Sequence, residues 1–405
     1  MIAPFAMSPK GTTSARVIPM ARSMADAGNE VLVLIPPYDN HSESSKKIVG
    51  IPENGLAIQW LNIPRFSNLP IIGPLILFFV LALAGRRQAL LFNPDVIHIF
   101  KPKAVSGMIH HLLWFLGCDS AIVLDCDDWE GSRGWSELER YPLPLKWVFD
   151  FQERVLIKNN HAVTTASAFL LERVKNICGN HPIVHIPNFI DSVRHNCWDR
   201  ESLRRQGREA LGIGPNRSIG LIYTRFFEYS IDGYAECICS FLSTDPDALV
   251  LVVGKGKFGQ EKSLAAVLKD KGYLDRVSML GWIDHNSVPA VLAASDVAMF
   301  PSTDNIANKS KCPARLVDLL MISTPIAAHD VGEAKTYITS GRNGRLLASG
   351  GGDAVGRAAA TLLASDVQKA TQEFRESRVR GDLSPGHIAD QLSDLYELAI
   401  AEKQG

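Results

Sequence analysis

Asn308-Lys309-Ser310-Lys311-Cys312-Pro313-Ala314-Arg315-Leu316-Val317-Asp318-Leu319-Leu320-Met321-Ile322-Ser323-Thr324-Pro325 reads as a polar, basic loop that runs into a helix near Ala314–Ile322. Pro313 suits the first helical position, where its missing N–H costs nothing and its φ is already set. Such a helix points unpaired N–H groups at whatever lies above its N-terminus, and a diphosphate satisfies them. Lys309, Lys311 and Arg315 add positive charge, and Asp318, one turn further in, can accept hydrogen bonds from ribose hydroxyls. The competing reading is a capped helix with solvated lysines.

Outward from this stretch, short apolar runs alternate with helical ones, the pattern of parallel sheets built from βαβ units. In the second half, strands are expected at Ser218–Tyr223, Ala248–Val253, Arg276–Leu280 and Val297–Phe300. Helices near Tyr234–Ser243, Gln260–Asp270, Val288–Ala294, Ala314–Ile322 and Gly356–Ala364 separate or follow them. The first half carries the same grammar. A loop at Ser8–Ser14 leads to a helix near Ala15–Ala27, ended by Gly28-Asn29. Strands Glu30–Ile35, Asp95–Phe100, Ala121–Leu124 and Ala162–Thr165 follow, with a helix near Pro144–Asn159. The polar stretch Arg194–Arg208 reads as a linker plus one helix. Two α/β units result: 1–190, joined by a C-terminal helix over 385–405, and 191–384. A cleft between such units is the natural ligand site. On the last helix, Ile388, Leu392, Leu395, Leu398 and Ala399 share one face.

The chain's 405 residues are enough for two domains, and 46% hydrophobic with 21% charged residues is ordinary for a globular protein. A net charge of -1 gives no reason to expect a nucleic-acid partner. The seven cysteines, Cys118, Cys126, Cys178, Cys197, Cys237, Cys239 and Cys312, are odd in number and scattered. They speak against a disulfide framework or structural zinc and for a reducing, cytoplasmic compartment. Met1-Ile2-Ala3-Pro4-Phe5 is no signal peptide and reads as the tail of a strand, as if the start were a few codons late.

Leu69–Ala84, followed by Arg86-Arg87, is strongly apolar but shorter than the roughly 20 residues of a spanning helix. A buried core helix, a membrane-docking helix involving 69–87 and a transmembrane span are the readings, in that order.

Asp125-Cys126-Asp127-Asp128-Trp129-Glu130-Gly131 follows an expected strand, where α/β sheets place ligands. Carboxylates here either chelate a hard divalent ion or line a metal-free cleft. His98, His110, His111 and His185 are expected to be packing or surface histidines. No P-loop, nucleophile elbow or Gly-x-Gly-x-x-Gly after a first strand is present.

The opening stretch resembles the donor-binding region of the retaining family-4 glycosyltransferases, in which a Glu-x7-Glu motif precedes Glu-Ala-Met-Ala-x-Gly-x-Pro-Val. Asp318-Leu319-Leu320-Met321-Ile322-Ser323-Thr324-Pro325-Ile326 takes the place of that run, and Ser310 stands where the first Glu belongs. It is similar to a variant subgroup with Asn-x-x-Lys-Cys-Pro-x-Lys-Leu, with Arg315 for the second Lys. Further resemblances lie in Gly28-Asn29-Glu30-Val31, Asn93–His98, Ala166-Ser167, Pro187–Asp191, Leu251–Gly256, Leu280–Ile283, Gly332-Glu333 and Gly341-x-x-Gly344, in the family's order.

The resemblance implies a GT-B fold of two Rossmann-like domains with the C-terminal helix crossing back to the first. It implies transfer of a sugar from a nucleoside diphosphate sugar to the hydroxyl of a glycan or lipid-linked acceptor. Retention, no metal and no cofactor beyond the donor are part of that expectation, as is glycan or cell-envelope biosynthesis at the inner face of the plasma membrane. Pro9-Lys10-Gly11-Thr12-Thr13 takes the place of a donor-phosphate loop, with Gly11 and Thr12 near the phosphate; an ordinary N-capped helix is the alternative. Arg225 matches the family's diphosphate Arg, a job its two-pronged guanidinium suits; an ion pair with Glu228 is the alternative. The family's Lys near position 230 is missing, and Lys309 or Lys311 would replace it. Gly254 belongs to the Val-Gly-x-Gly turn, and Trp282 and Ile283 would receive the base. The flanking motifs, which resemble those of a GT-B domain, favour the metal-free reading of the acidic loop, and Asp127 would then fall where many relatives carry an active-site His. Two other functions stay open: a nucleotide-sugar epimerase on the same fold and a catalytically degenerate binding or scaffold protein.

Overall fold

The computed structural model describes residues 1–45, 49–51, 55–63, 72–196, 198–363 and 366–405. Three sequence expectations touch positions outside these: the first residues of the apolar Leu69–Ala84 segment, Cys197, and Ala364 at the end of a helix. The chain divides into two units. One comprises Met1–Ser192, Ser310–Cys312 and Asp382–Gly405; the other comprises Val193–Lys309 and Pro313–Gly381.

The first unit has strands β1 (Val31–Ile35), β2 (Val49–Ile51), β3 (Leu56–Trp60), β4 (Val96–Phe100), β5 (Ala121–Cys126), β6 (Ala162–Thr165) and β7 (Ile183–His185). They form one sheet of order β1-β3-β2 and another of order β4-β5-β6-β7. Ile2 pairs with Leu34 on one side and Ile99 on the other, so the first residues bridge the two. All pairings are parallel except β2 with β3. β5 and β6 are buried along their length, and they open on the apolar runs Ala121–Leu124 and Ala162-Val163.

The helix over Ile72–Phe92 carries the apolar segment on for two further turns. Leu77, Leu81, Gly85 and Ala89 form its buried stripe, four residues apart. A Cβ on Gly85 would stand 2.5 Å from Ile109 Cδ1, so this helix packs closely on Ala104–Leu116. Phe79, Leu83 and Leu91 lie on the opposite, exposed side. The segment is therefore a core helix with an apolar outer stripe, and among the described residues no helix is long and apolar enough to cross a membrane. The last helix, Pro385–Gln404, seats Leu395 and Ala399 against Ala121, Val123 and Ala162. Leu398, expected on that face, is exposed; a step of about 100° per residue puts it at the side of the stripe that Ile388, Leu392 and Ala399 define.

The second unit has β8 (Ile219–Tyr223), β9 (Leu249–Val253), β10 (Val277–Gly281), β11 (Val297–Phe300), β12 (Ile326–His329) and β13 (Gly344–Leu347). They make one parallel sheet of order β10-β9-β8-β11-β12-β13. The order reverses between β8 and β11, and in open α/β sheets ligands collect at the C-terminal strand ends beside such a reversal. β2, β3, β7, β12 and β13 are absent from the sequence expectations, as are the helices Ala104–Leu116, Ala168–Cys178 and Asp366–Arg380. The expectations also place β5 two residues short.

Candidate functional site

In the first unit the extra residues of β5 change the reading of the acidic loop. Asp125 is not a site carboxylate. It lies inside the strand, fully buried, and takes a two-pronged ion pair from Arg16: Nε to Oδ1 at 2.9 Å and Nη2 to Oδ2 at 2.7 Å. Thr164 Oγ1 donates to Asp125 Oδ2 at 2.6 Å. His98 continues the network, with Nε2 3.1 Å from Thr164 Oγ1 and Nδ1 2.8 Å from the Tyr396 hydroxyl. Burial holds the His98 pKa well below the ordinary histidine value, so it is a neutral packing group, as expected from sequence.

Asp127 and Asp128 lie beyond the strand end, mostly buried, together with the buried Glu130. Their centre is Lys101, which the sequence reading passed over. Its Nζ lies 2.5 Å from Asp127 Oδ1, 2.5 Å from Asp128 Oδ2 and 2.8 Å from Glu130 Oε1. Lys103 Nζ takes the other Glu130 oxygen at 2.7 Å. Burial works against the Lys101 charge, but the three carboxylates outweigh it and its pKa stands well above the ordinary lysine value. Burial, only partly offset by Lys101, pushes the Asp128 carboxyl up, and the two lysines pull Glu130 down against its own burial. The loop is shaped from below: Glu153 accepts from the backbone N–H of Glu130 at 3.0 Å and of Gly131 at 3.1 Å. Among the described residues, Asp127, Asp128 and Glu130 are the group whose spacing would suit a metal ion. The sequence signal for Lys101 was available: like Asp127, it is a charge directly after an apolar strand.

Gly11 is exposed, and a Cβ there would meet nothing within 4 Å, so no close packing requires glycine at that position. The helix after it opens as a π-turn over Thr13–Val17 before α-helix Ile18–Asp26, and Thr12 caps it without a side-chain bond. Thr13 is spent inward, its Oγ1 donating to Phe5 O at 2.8 Å. The N-capped helix from Ala15 is therefore not what forms. Ser310–Cys312 groups with this unit: Asn188 N–H donates to Cys312 Sγ at 3.1 Å, and Lys311 Nζ sits 4.9 Å over the Trp135 ring.

In the second unit, the ends of β8, β9 and β10 are locked around Gly254. Its φ is +119°, and a Cβ there would fall 1.7 Å from Thr224 O, so only glycine fits. Its N–H donates to Gly281 O at 2.7 Å. Trp282, just beyond β10, is 64% exposed, and Ile283 beside it is half-buried. Arg225, half-buried, follows β8 directly.

Glu228 pairs with Arg315. Glu228 Oε2 also accepts from Thr224 Oγ1 at 2.9 Å, and Thr224 Oγ1 lies 2.7 Å from the Tyr234 hydroxyl. Burial opposes the Arg315 charge, but Glu228 outweighs it and raises the pKa. Tyr223, Thr224, Glu228, Tyr234, Phe300 and Pro301 pack together at the β8–β11 reversal and leave no room between them for a water molecule. Asn308 ties the basic loop to the same place, its Nδ2 donating to Glu228 O at 2.8 Å.

Pro313 is the N-cap, not the first helical residue: its ψ of 110° is extended, and the helix is Ala314–Met321. The helix N-terminus has no side-chain cap. Lys309 pairs with the exposed Asp304 at 2.6 Å. Asp318 is turned inward. It is 1% exposed and accepts from Arg194 Nη2 at 2.8 Å and from His195 Nε2 at 3.1 Å. Its carboxylate is thus already engaged where the sequence reading gave it to a ribose. Arg194 and His195 belong to the polar stretch that the sequence alone gives as a linker plus one helix.

The pattern described as "Glycosyl transferase 4-like domain" matches residues 11–188, and that described as "Glycosyl transferases group 1" matches residues 225–365. The chain is 30% identical over 425 residues to 2-deoxystreptamine N-acetyl-D-glucosaminyltransferase of Streptomyces fradiae, covering 98% of this chain and 92% of that one. It is 22% identical over 410 residues to phosphatidyl-myo-inositol mannosyltransferase of Mycobacterium leprae, covering 98% and 96%. The catalytic domain of starch synthase IV from Arabidopsis thaliana, bound to ADP and acarbose, matches with a TM-score of 0.73 at 15% identity, covering 99% of this chain and 98% of that one.

Proposed function

The chain belongs to the group 1 glycosyltransferases and has their GT-B fold, and from that premise we propose that it moves a sugar from a nucleoside diphosphate sugar to an acceptor hydroxyl with retention and without a metal ion. The observation that carries the donor half is the gathering of Arg225, Arg315 and the uncapped helix N-terminus at Ala314 beside the strand reversal of the second unit. A departing nucleoside diphosphate carries charge that must be met as the glycosidic bond breaks, and preorganised cations meet it with little reorganisation. Arg225 and Arg315 hold the diphosphate in this reading, with Lys309 of the same unit contributing a further donor. Trp282 and Ile283 receive the base. Ribose hydroxyls reach Asp318 only by competing with Arg194 and His195. Asp127 orients a reacting sugar, and a donor phosphate oxygen takes the acceptor proton, so no separate base and no further cofactor is needed.

The two relatives named above transfer to 2-deoxystreptamine and to phosphatidyl-myo-inositol, as their names state. The acceptor here is accordingly a glycan, another polyol or a lipid-linked polyol of glycan or cell-envelope biosynthesis. A lipid-linked one would bring the exposed stripe Phe79, Leu83 and Leu91 to the cytoplasmic face of a membrane.

Incubation with UDP-, GDP- and ADP-sugars and a panel of polyol acceptors tests the reading. One donor should turn over, and Arg225→Ala should lower kcat/KM by about 100-fold or more, the usual scale for losing one charge-stabilising donor. Release of an isomerised nucleotide sugar without acceptor would point to an epimerase. Absence of both turnover and nucleoside diphosphate binding across the panel would leave a scaffold protein.

A further inference from the structure

We infer that Lys101 is a built-in cation of the Asp127–Glu130 loop: its ammonium occupies the position a divalent ion would take among the three carboxylates, closes the loop to metals and fixes the Asp127 carboxylate.

The geometry argues this atom by atom. An ammonium has three N–H donors. Lys101 donates to one oxygen each of Asp128 and Glu130, at 2.5 and 2.8 Å, and its charge lies 2.5 Å from Asp127 Oδ1 as an ion pair. The candidate ligand atoms of these residues lie within 4.8 Å of one another, close enough for a hard divalent ion to bridge all three. The cage thus has the shape of a cation site, and the lysine nitrogen is in it. With Lys103 on the second Glu130 oxygen, three carboxyl groups face two ammonium groups. Removing Lys101 would leave the three carboxyl groups with Lys103 alone, a strong attractor for a divalent ion.

Lys101 is not a surface counter-ion that happens to lie nearby. It is 4% exposed, and lysine, with its strongly hydrated charge, is rarely buried this deeply unless fully paired. Its backbone is bent to deliver the side chain: φ is +63°, a left-handed conformation uncommon for a residue with a Cβ. Three bonds hold that turn: Lys101 N–H to Asp125 O at 3.0 Å, and Lys103 N–H and Ser106 Oγ to Lys101 O, each at 2.8 Å. Asp125 is itself fixed by Arg16. The network therefore runs from the sheet interior to the carboxylate cage.

The metal-exclusion half stands on this geometry alone, whereas the positioning half rests on the proposed role of Asp127. The test uses the full chain as wild type, Lys101→Met, Asp128→Asn and the Lys101→Met/Asp128→Asn double variant, titrated with Tb³⁺ (emission sensitised by the neighbouring Trp129) and followed by thermal unfolding with Mn²⁺. Wild type should bind no Tb³⁺ at the cage and keep its Tm in Mn²⁺. Lys101→Met should gain one Tb³⁺ site and a Tm that rises with Mn²⁺, and the double variant should lose both. A folded Lys101→Met that binds no ion overturns the inference. Because that variant can fail to fold, the wild-type arm also decides by itself: one Tb³⁺ bound by wild type and lost in Asp128→Asn overturns it equally. With a donor in hand, Lys101→Met should lower kcat more than KM and move the pH profile of kcat; an unchanged profile sinks the positioning half. A failure of the metal arm in an active transferase removes this inference and leaves the transferase reading intact, while an inactive wild type does the reverse.

Discussion

Glu228 and Arg315 offer the sharpest quantitative test of the second unit. Glu228 is 7% and Arg315 14% exposed at the side chain, so solvent screens their pairing little. At about 3 Å and an effective dielectric near 20, the gross attraction is on the order of 5 kcal/mol, part of which is spent on desolvating both groups. Removing one partner of a buried pair costs about 3–5 kcal/mol, because the other charge is stranded. Arg315→Met, which strands Glu228, should sit near the lower end, since Thr224 Oγ1 still donates to the carboxylate. Glu228→Gln keeps the shape and one acceptor oxygen for the guanidinium, so about 2 kcal/mol is expected. The double variant should cost about 3 kcal/mol rather than the sum near 5, a coupling of about 2 kcal/mol.

Hydrogen exchange of the β8 amides reports this unit by itself, whatever the stability of the other. Single-variant costs that add within about 0.5 kcal/mol would refute the reasoning, because they would show that neither side chain depends on the other. The same proteins, titrated with whichever nucleoside diphosphate binds, should separate the two roles. Arg315→Met should weaken binding by about tenfold or more, since charge-assisted bonds of this kind are worth about 1.5–3 kcal/mol. Glu228→Gln, which keeps the guanidinium, should weaken it less.

Trp282→Ala should leave stability within about 0.5 kcal/mol, as expected for a side chain 64% exposed. It should nevertheless weaken nucleotide binding by about 5- to 150-fold if the indole stacks on the base, a contact worth about 1–3 kcal/mol; calorimetric titration beside a urea curve separates the two, and unchanged affinity sinks that role. His110 should make the first unit acid-labile. Its Nε2 lies 2.6 Å from Asn159 O, its Nδ1 is buried without a partner, and burial lowers its pKa from 6.5 to about 3. The folded pKa is below the unfolded one, so the neutral form's stability is complete above pH 6.5 and is lost as pH falls towards 3. The slope is about 1.4 kcal/mol per pH unit, or about 2 kcal/mol by pH 5. His110→Gln should flatten the pH 5–6.5 stability profile by that amount in chemical denaturation, and an unaltered slope would show that the ring is not held neutral.

What the sequence made legible, and what it hid, follows from the range of the forces involved. Buried parallel strands must be apolar throughout, so Val-Leu-Val-Leu-Ile and Leu-Val-Leu-Val-Val announced β1 and β9. Ile-Ala-Ala-His carries little intrinsic strand preference, and β12 forms because β11 and β13 pair with both its edges. Charges after strand ends were visible as residue types, but their partners were not, because those come from far along the chain. Arg16 meets Asp125 across 109 positions, Arg315 meets Glu228 across 87, and Arg194 meets Asp318 across 124. Each pair absorbs a group that local reading leaves open to a ligand. The consequences differ. Asp125 is sealed inside the sheet and serves the fold alone. Arg315 and Asp318 lie beside the β8–β11 reversal, where a ligand's phosphates and hydroxyls would offer the same chemistry as their present partners. A site assembled from such pairs binds by exchange, so the affinity measured for a nucleotide is the difference between two sets of bonds. That difference, and not the strength of either set, is what substitutions at Glu228 and Arg194 would reveal.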